Sequence, residues 1–494
     1  MNLLGEWLVA GDGHVARFVV ERGLGVIYLI AFVVAARQFP ALCGERGLEP
    51  APDLLRVVGF WQAPSLFHWR YSDRLLVAVS VVGALLALAV VVGLAGAAPL
   101  PVTMVVWLVL WALYLSIVNI GRTFYGFGWE SQLCETGFLA IFLGNDATAP
   151  PFLVLLLLRW LAFRVEFGAG MIKLRGDPCW RNLTCMEYHH ETQPLPNPLS
   201  WVAHRMPTAW HRLEAIGNFG AQLVLPFGLF LPQPFATVAA ALMIGTQLYL
   251  VTTGNYAWLN WITILALAAG ISDSVVSVVL PGLPSLLGAG TGDGLAAWPL
   301  WYEGAVLGLT ALVVVLSYRP ARNLLSSRQA MNASFDPFHL VNTYGAFGSV
   351  TKTRYEVIVE GASAFPAPDT EWREYAFKAK PGDPRRLSPQ VAPYHLRLDW
   401  LMWFIPISPG YAGAWFERFL VRLLQADRPT LRLLRGDPFA GTAPSYVRAR
   451  LFHYRFSTRD ELRRTGAWWQ RTPVADLVPP VRLAATGREA LVPA

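Results

Sequence analysis

Three ionisable residues, Arg159, Glu166 and Lys173, recur at seven-residue intervals inside one apolar run, Phe152 to Leu174. Seven residues are close to two helical turns, so a helix carries all three on one face over roughly 21 Å. Charges at membrane depth are costly and either pair or line a cavity. Glu166 stands between the two cations, and Gly168 and Gly170 let another helix or a ligand approach the backbone beside Lys173. Such a face can hold Glu166 and Lys173 beside a cavity or a ligand. The bland reading is that Arg159 and Lys173 snorkel to opposite interfaces while Glu166 pairs with a neighbouring helix.

The run leads into a polar loop, Arg175 to Pro198, whose chemistry-bearing residues are Arg175, Asp177, Trp180, Tyr188, His189, Glu191, Gln193 and Pro194. Pro194, Pro196 and Pro198 rule out a regular helix or central strand and hold the chain extended. His189, His190 and Glu191 could be read as metal ligands, but adjacent histidines on an extended chain point to opposite sides, so one His in a hydrogen-bonded turn is the preferred reading and no metal is expected. His204 and His211 recur at seven on a candidate amphipathic helix, Ser200 to Leu213, where packing is the simpler role. Cys179 and Cys185 flank a short polar segment and can pair if that side is oxidising; Cys134, in an apolar run, reads as a small packed residue. Asn182-Leu183-Thr184 and Asn332-Ala333-Ser334 match weak glycosylation sequons.

A second polar cluster, Asn119, Arg122, Trp129, Glu130 and Glu135, ends one apolar run and enters the next. Spacing alone favours a solvated loop, with Glu135 at the start of a helix where its charge suits the dipole.

The elements that hold these residues follow from composition. Of 494 residues 54% are hydrophobic and only 15% charged, with a mean hydropathy of +0.40. A chain of that balance needs a non-aqueous solvent, and a bilayer core asks for about 20 mostly apolar residues per helical crossing. The net charge of +7 is explained by arginines at membrane-helix ends, so lipid is the expected partner and nucleic acid is not. Eight or nine candidate crossings are counted: Gly23 to Ala36, Leu75 to Leu100, Val102 to Ile120, Leu133 to Leu143, Phe152 to Leu174, Ile216 to Leu231, Phe235 to Val251, Tyr256 to Ile271 and Tyr302 to Tyr318. Leu133 to Leu143 is short, and a further stretch, Ser274 to Leu287, is broken by Pro281 and Pro284, so both read as possible re-entrant or interfacial segments. No cleavable leader is evident in Met1 to His14.

From Ser334 the composition turns polar and strand-forming. Thr353 to Glu360, Glu374 to Lys380 and Ala449 to Ser457 read as strands, Gly361, Pro381, Gly382 and Pro384 as turns, and Ala412 to Gln425 as a helix. The expected fold is a multi-pass α-helical membrane domain over 1–325, followed by a small β-rich (α+β) soluble C-terminal domain over 326–494.

The run Lys173 to Trp180, with Tyr188-His189 and Glu191-Thr192-Gln193-Pro194, resembles the signature loop of the lipase maturation factor family. Further matches are Arg22 to Tyr28, Trp129 with Glu135 to Leu139, Val341 to Gly345, Trp372 to Tyr375, Lys380 to Pro384, Val391 to Tyr394 and Arg397 to Trp400. At His190 the family pattern has a tyrosine, so His189 is the residue the resemblance carries over. The resemblance implies a membrane protein of the endoplasmic reticulum that helps secreted lipases reach an active fold. The Ala, Leu and Arg bias is that of a bacterial chain, for which the cytoplasmic membrane and another exported client are implied.

A shorter stretch, Ala169 to Leu174 followed by Trp180, is similar to the motif around the catalytic lysine of vitamin K-dependent carboxylases, though the spacing to the Trp differs. That resemblance implies a base acting on a quinone-like molecule or lipid; a lysine in an apolar site can keep the neutral amine such a role needs. Client maturation is the preferred expectation and a Lys173-dependent membrane enzyme the alternative.

Overall fold

A computed structural model describes residues 9–286, 295–365, 370–484 and 490–494. Residues 1–8 of the opening segment, and Leu287 at the end of the interrupted stretch, lie outside the described residues. The long apolar runs become helices α1 (His14–Leu42), α2 (Asp73–Val91) and α3 (Leu100–Val118). Helix α2 starts where the Ser72 hydroxyl accepts from the Leu75 N–H, and α3 starts after Pro99. Then follow α4 (Gly128–Ala140), α5 (Phe152–Arg175), α6 (Met186–Thr192) and α7 (Thr208–Phe219). Helix α7 continues through a π-turn, Gly220–Val224, into Leu225–Gly228. The domain closes with α8 (Phe235–Thr253), α9 (Leu259–Ala268), α10 (Asp273–Val279) and α11 (Leu300–Leu316).

Among the described residues five helices are long and apolar enough to cross a membrane: α1, α2, α3, α8 and α11 with its extension to Leu325. The pair α9 and α10, bent by 99°, makes a sixth if counted as one span. That is fewer than the eight or nine runs suggest, because the others fall short for separate reasons. Helix α4 has 13 residues, about 20 Å; α5 carries Arg159, Arg164, Glu166 and Lys173; α7 is interrupted by its π-turn. Leu85, Val105, Val224, Leu242 and Val315 are exposed along the outer helices, the belt a multi-pass membrane protein presents to lipid.

The proposed amphipathic helix from Ser200 is two pieces, Ser200–His204 and α7, parted before Pro207 and Thr208. The loop after Lys173 is not wholly extended either. Pro194, Pro196 and Pro198 come after α6, so Tyr188 to Glu191 is helical, and the chain from Gln193 to Leu199 bends and turns without regular structure.

The C-terminal region holds a two-stranded sheet, β1 (Ala333–Ser334) with β2 (Asn342–Thr343), and a five-stranded antiparallel sheet ordered β4, β3, β5, β6, β7. The strands are β3 (Arg354–Ala362), β4 (Arg373–Glu374), β5 (Tyr446–Phe456), β6 (Trp469–Leu483) and β7 (Leu491–Pro493). Helix α12 (Arg397–Met402) meets the helical domain near Phe124, while α13 (Gly413–Leu424) packs on β5 and β6, burying Trp415, Phe416, Phe419, Leu420 and Leu423. Gly361, read as a turn, lies inside β3, where a Cβ would stand 2.7 Å from the Phe439 ring. The strand expected over Glu374 to Lys380 pairs with β3 at Arg373 and Glu374, and the Tyr375 N–H still reaches the Val359 carbonyl at 2.9 Å; farther on the Ala379 and Lys380 N–H groups turn to the Asp399 carboxylate, at 2.6 and 3.0 Å.

This sheet domain sits on one face of the helical domain. The Gln38 amide, at the end of α1, donates to the His395 carbonyl at 2.7 Å, and Asn255, between α8 and α9, accepts from the Val391 and Ala392 N–H groups. The far face is closed by Arg17 on the Thr148 carbonyl and by the His14 N–H on Asp273.

Candidate functional site

The α5 face is real but is not a row of paired charges. Arg159 donates to the Ala269 carbonyl at 2.8 Å, near the far face. Glu166 accepts from the Gln247 amide at 2.6 Å, and Gln247 in turn accepts from Asn260 at 2.7 Å. The Lys173 amine is buried, donates to Asn218 and Gln222 at 2.9 Å each, and lies 4.9 Å from the Trp180 ring centre. Gln222 sits in the π-turn after α7, so that turn supplies one of the two acceptors of the lysine. A π-turn redirects side chains by one position and is common where a helix meets a polar site. Gly168 and Gly170 permit close approach, as their size suggests, but the neighbours are protein: a Cβ on Gly168 would meet the Tyr344 carbonyl at 2.4 Å, and one on Gly170 would meet Leu223 at 2.7 Å.

The second polar cluster is not a solvated loop. Glu130 and Glu135 are buried within α4, and Glu135 lies in the middle of that helix rather than at its start. Glu130 pairs with Arg397 of the sheet domain at 2.8 Å and accepts from the Tyr114 hydroxyl. Glu135 pairs with Arg164 and accepts from the Asn342 N–H at 3.0 Å and the Tyr344 hydroxyl at 2.7 Å. Asn119 donates to the Pro64 and Pro337 carbonyls at 2.9 and 3.0 Å. Trp129 stacks edge-on against Trp400, ring centres 4.9 Å apart. Both carboxylates look solvated in sequence because their partners lie far along the chain; with those partners in place the cluster is a seam between the two domains.

The loop is a seam as well. Arg175 donates to the Leu324 carbonyl and to Gln329, both at 2.9 Å. The Asp177 N–H and the Trp180 indole each reach the 347–348 backbone at 2.8 Å. Cys179 and Cys185 are joined by a disulfide, and with Trp180 and Met186 they form a small core against which Tyr188 packs. From β3, buried Arg354 donates to the carbonyls of Glu191, Gln193 and Pro194 at 3.0, 2.5 and 3.1 Å. Glu191 accepts from the Phe456 N–H at 2.7 Å. Arg354 and Lys380 both pair with Glu356, at 2.5 and 2.7 Å. What stays exposed is Gly176 and the hairpin tip, Pro178, Arg181 and Asn182, with Pro198 and Leu199.

His189 and His190 leave α6 in different directions. His189 lies 3.0 Å from the Tyr256 hydroxyl, which donates to Gln193 at 2.5 Å; burial first, then His190 and Lys173 beside it, push its pKa down to about 3. His190 faces Glu214 of α7, as does His211, and Tyr249 of α8 donates its hydroxyl to the same carboxylate. Neither Glu214 nor Tyr249 stands out in the sequence. Helical spacing of His211 and Glu214 was the available signal.

The family description for the lipase maturation factor transmembrane domain matches residues 15–278, and that for the lipase maturation factor C-terminal domain matches residues 340–479. Lipase maturation factor 1 of Mus musculus is 40% identical, covering 96% of this chain and 88% of that protein. The Bos taurus counterpart is 39% identical, covering 96% and 90% respectively. Lipase maturation factor 2 of Homo sapiens is 29% identical, covering 95% and 83%. No solved structure matches.

Proposed function

The chain belongs to the lipase maturation factor family, and from that membership we propose that it is a membrane-embedded maturation factor that helps an exported lipase reach its active fold. The observation that supports this reading is the seam. Glu130 with Arg397, Glu135 with Arg164 and Asn342, and Arg354 with the loop carbonyls lock the sheet domain onto the helical domain. A rigid platform over the membrane surface suits a protein that presents a surface to a client. In this reading Arg175, Asp177, Trp180, Tyr188, His189, Glu191, Gln193 and Pro194 act by fixing that platform, and the client meets the exposed hairpin tip and the outer sheet face.

The disulfide lies on the same side as the sheet domain. Disulfides persist on oxidising sides of membranes, which supports a sheet domain facing the exported side: the lumen of the endoplasmic reticulum in a eukaryote, the periplasmic side of the cytoplasmic membrane in a bacterium. In this reading Lys173 is a packed donor to Asn218 and Gln222.

The test is complementation. Cells lacking their own maturation factor are given this chain together with a secreted homodimeric lipase, and lipase activity per mass of secreted enzyme is measured. The expected result is specific activity above the empty-vector control. Full secretion of inactive lipase, with the chain present in the membrane at normal level, would overturn the proposal.

A further inference from the structure

We propose that His190, His211 and Glu214 form a binding site for one divalent transition-metal ion of the zinc class. His190 Nε2 lies 3.2 and 3.4 Å from the two Glu214 carboxylate oxygens. His211 Nδ1 lies 2.9 Å from Glu214 Oε2. One ligand atom from each of the three residues lies within 4.8 Å of the other two. Tetrahedral zinc, with ligands at roughly 2.0–2.1 Å, spaces neighbouring ligand atoms by about 3.3 Å, and the two imidazole–carboxylate spacings at Glu214 Oε2, 2.9 and 3.4 Å, are close to that.

The donor set also selects the ion. Two imidazoles and one carboxylate suit zinc and its transition-metal neighbours, whereas calcium and magnesium ask for oxygen. Three protein donors leave one position for water or another ligand.

The site is held by its surroundings. His211 and Glu214 are three residues apart on α7, one turn of one face. His190 is set by α6, which begins directly after the bonded Cys185, and its carbonyl accepts from the Gln193 amide at 3.1 Å. The Tyr249 hydroxyl donates to Glu214 Oε1, which leaves Oε2 for the ion; such outer donors orient ligating carboxylates. His204 belongs elsewhere, 3.5 Å from Glu191. A bound ion ties α6, and with it the Glu191 to Pro194 segment gripped by Arg354, to α7. The ion is a clip on the seam, independent of which client is served.

The experiment uses the full chain purified in detergent, stripped with chelator and titrated with zinc chloride, and with cobalt chloride as a spectroscopic probe. Wild type is expected to retain one equivalent of zinc through desalting and to give the visible bands of four-coordinate cobalt. His190→Gln and His211→Gln each lose both signals, Tyr249→Phe weakens zinc affinity on the order of 10-fold, and His453→Gln, on β5, leaves it unchanged. Should the histidine variants misfold, wild type alone decides: chelator lowers its melting temperature and zinc restores it. No stoichiometric zinc and no cobalt bands in wild type, or wild-type affinity in folded His190→Gln and His211→Gln, would overturn the proposal.

Discussion

The guanidinium of Arg397 stands 3.4 Å above the ring centre of Tyr125 while pairing with Glu130 at 2.8 Å. Its Nη1 also donates to the Phe124 carbonyl at 2.6 Å. One arginine of the sheet domain thus closes a cation–π contact, an ion pair and a backbone bond in the helical domain, with no exposure of either charged side chain. Truncating it strands Glu130 among aromatic rings. Arg397→Met is expected to destabilise the protein by about 3–5 kcal/mol, whereas the double change with Glu130→Leu recovers part of that loss, because the costly state is the unpaired charge. Thermal unfolding in detergent measures both; equal losses in single and double variants would contradict the account.

Lys173 gives a second prediction. Its amine fills two acceptors, Asn218 and Gln222, so Lys173→Met leaves both without a donor and is expected to cost about 1–3 kcal/mol of stability. Lys173→Gln keeps amide donors and is expected to preserve most lipase maturation. Complete loss of maturation in Lys173→Gln, at normal protein level and melting temperature, would mean that the amine itself does chemistry.

The disulfide closes a short loop, Cys179 to Cys185. By loop-closure entropy its removal in Cys179→Ser/Cys185→Ser is expected to cost about 2 kcal/mol. The loss shows first at the hairpin, as faster amide exchange over residues 178–186, while α5 keeps its protection. Uniformly faster exchange through α5 would speak against a local role.

Acidification is expected to loosen the seam. His339, 3.1 Å from Asn119, is pushed down by burial to about 4. His395 is held well below the usual histidine range by burial and by Arg397, and the Glu130 carboxylate 3.9 Å away does not reverse this because Arg397 already claims it. A folded pKa below the unfolded value of 6.5 means the unfolded chain binds more protons, so this stability is present above pH 6.5 and is lost as pH falls from there. Each histidine loses about 1 kcal/mol between pH 7.5 and 5.5. Melting temperature against pH reads the effect, and His395→Phe, which fits the surrounding rings, should flatten the curve. A slope unchanged in that variant would remove His395 from the explanation.

Much of the architecture was legible because it rests on local signals. Run length found α1, α2, α3, α8 and α11, and alternation found β3 and most of β5. The seam was not legible, since its bonds join residues far apart: Glu135 meets Asn342 across 207 positions and Arg354 meets the Gln193 carbonyl across 161. A carboxylate read with only its neighbours looks solvated. The same blindness hid the cluster around Glu214. His189 and His190 do diverge, as adjacent residues should, yet His190 finds its partners on a helix beyond the prolines. The face of α5 was visible at the level of periodicity, while the amides that occupy it, Gln222 and Gln247, carry no pattern that points to a charge.

Residues 341–345 enter between α4 and α5, where Asn342 and Tyr344 complete the hydrogen bonding of Glu135, and the Asn342 carbonyl accepts from Arg164 at 2.5 Å. During synthesis every membrane helix emerges before this segment does. Until it arrives, one side of the Glu135 and Arg164 pair is bare in the middle of a newly inserted bundle. The last membrane helix therefore does not finish the membrane domain. A chain stopped after residue 325 lacks the Asn342 and Tyr344 groups that bond to Glu135 and Arg164, so its helical region is expected to be less stable than that of the full chain.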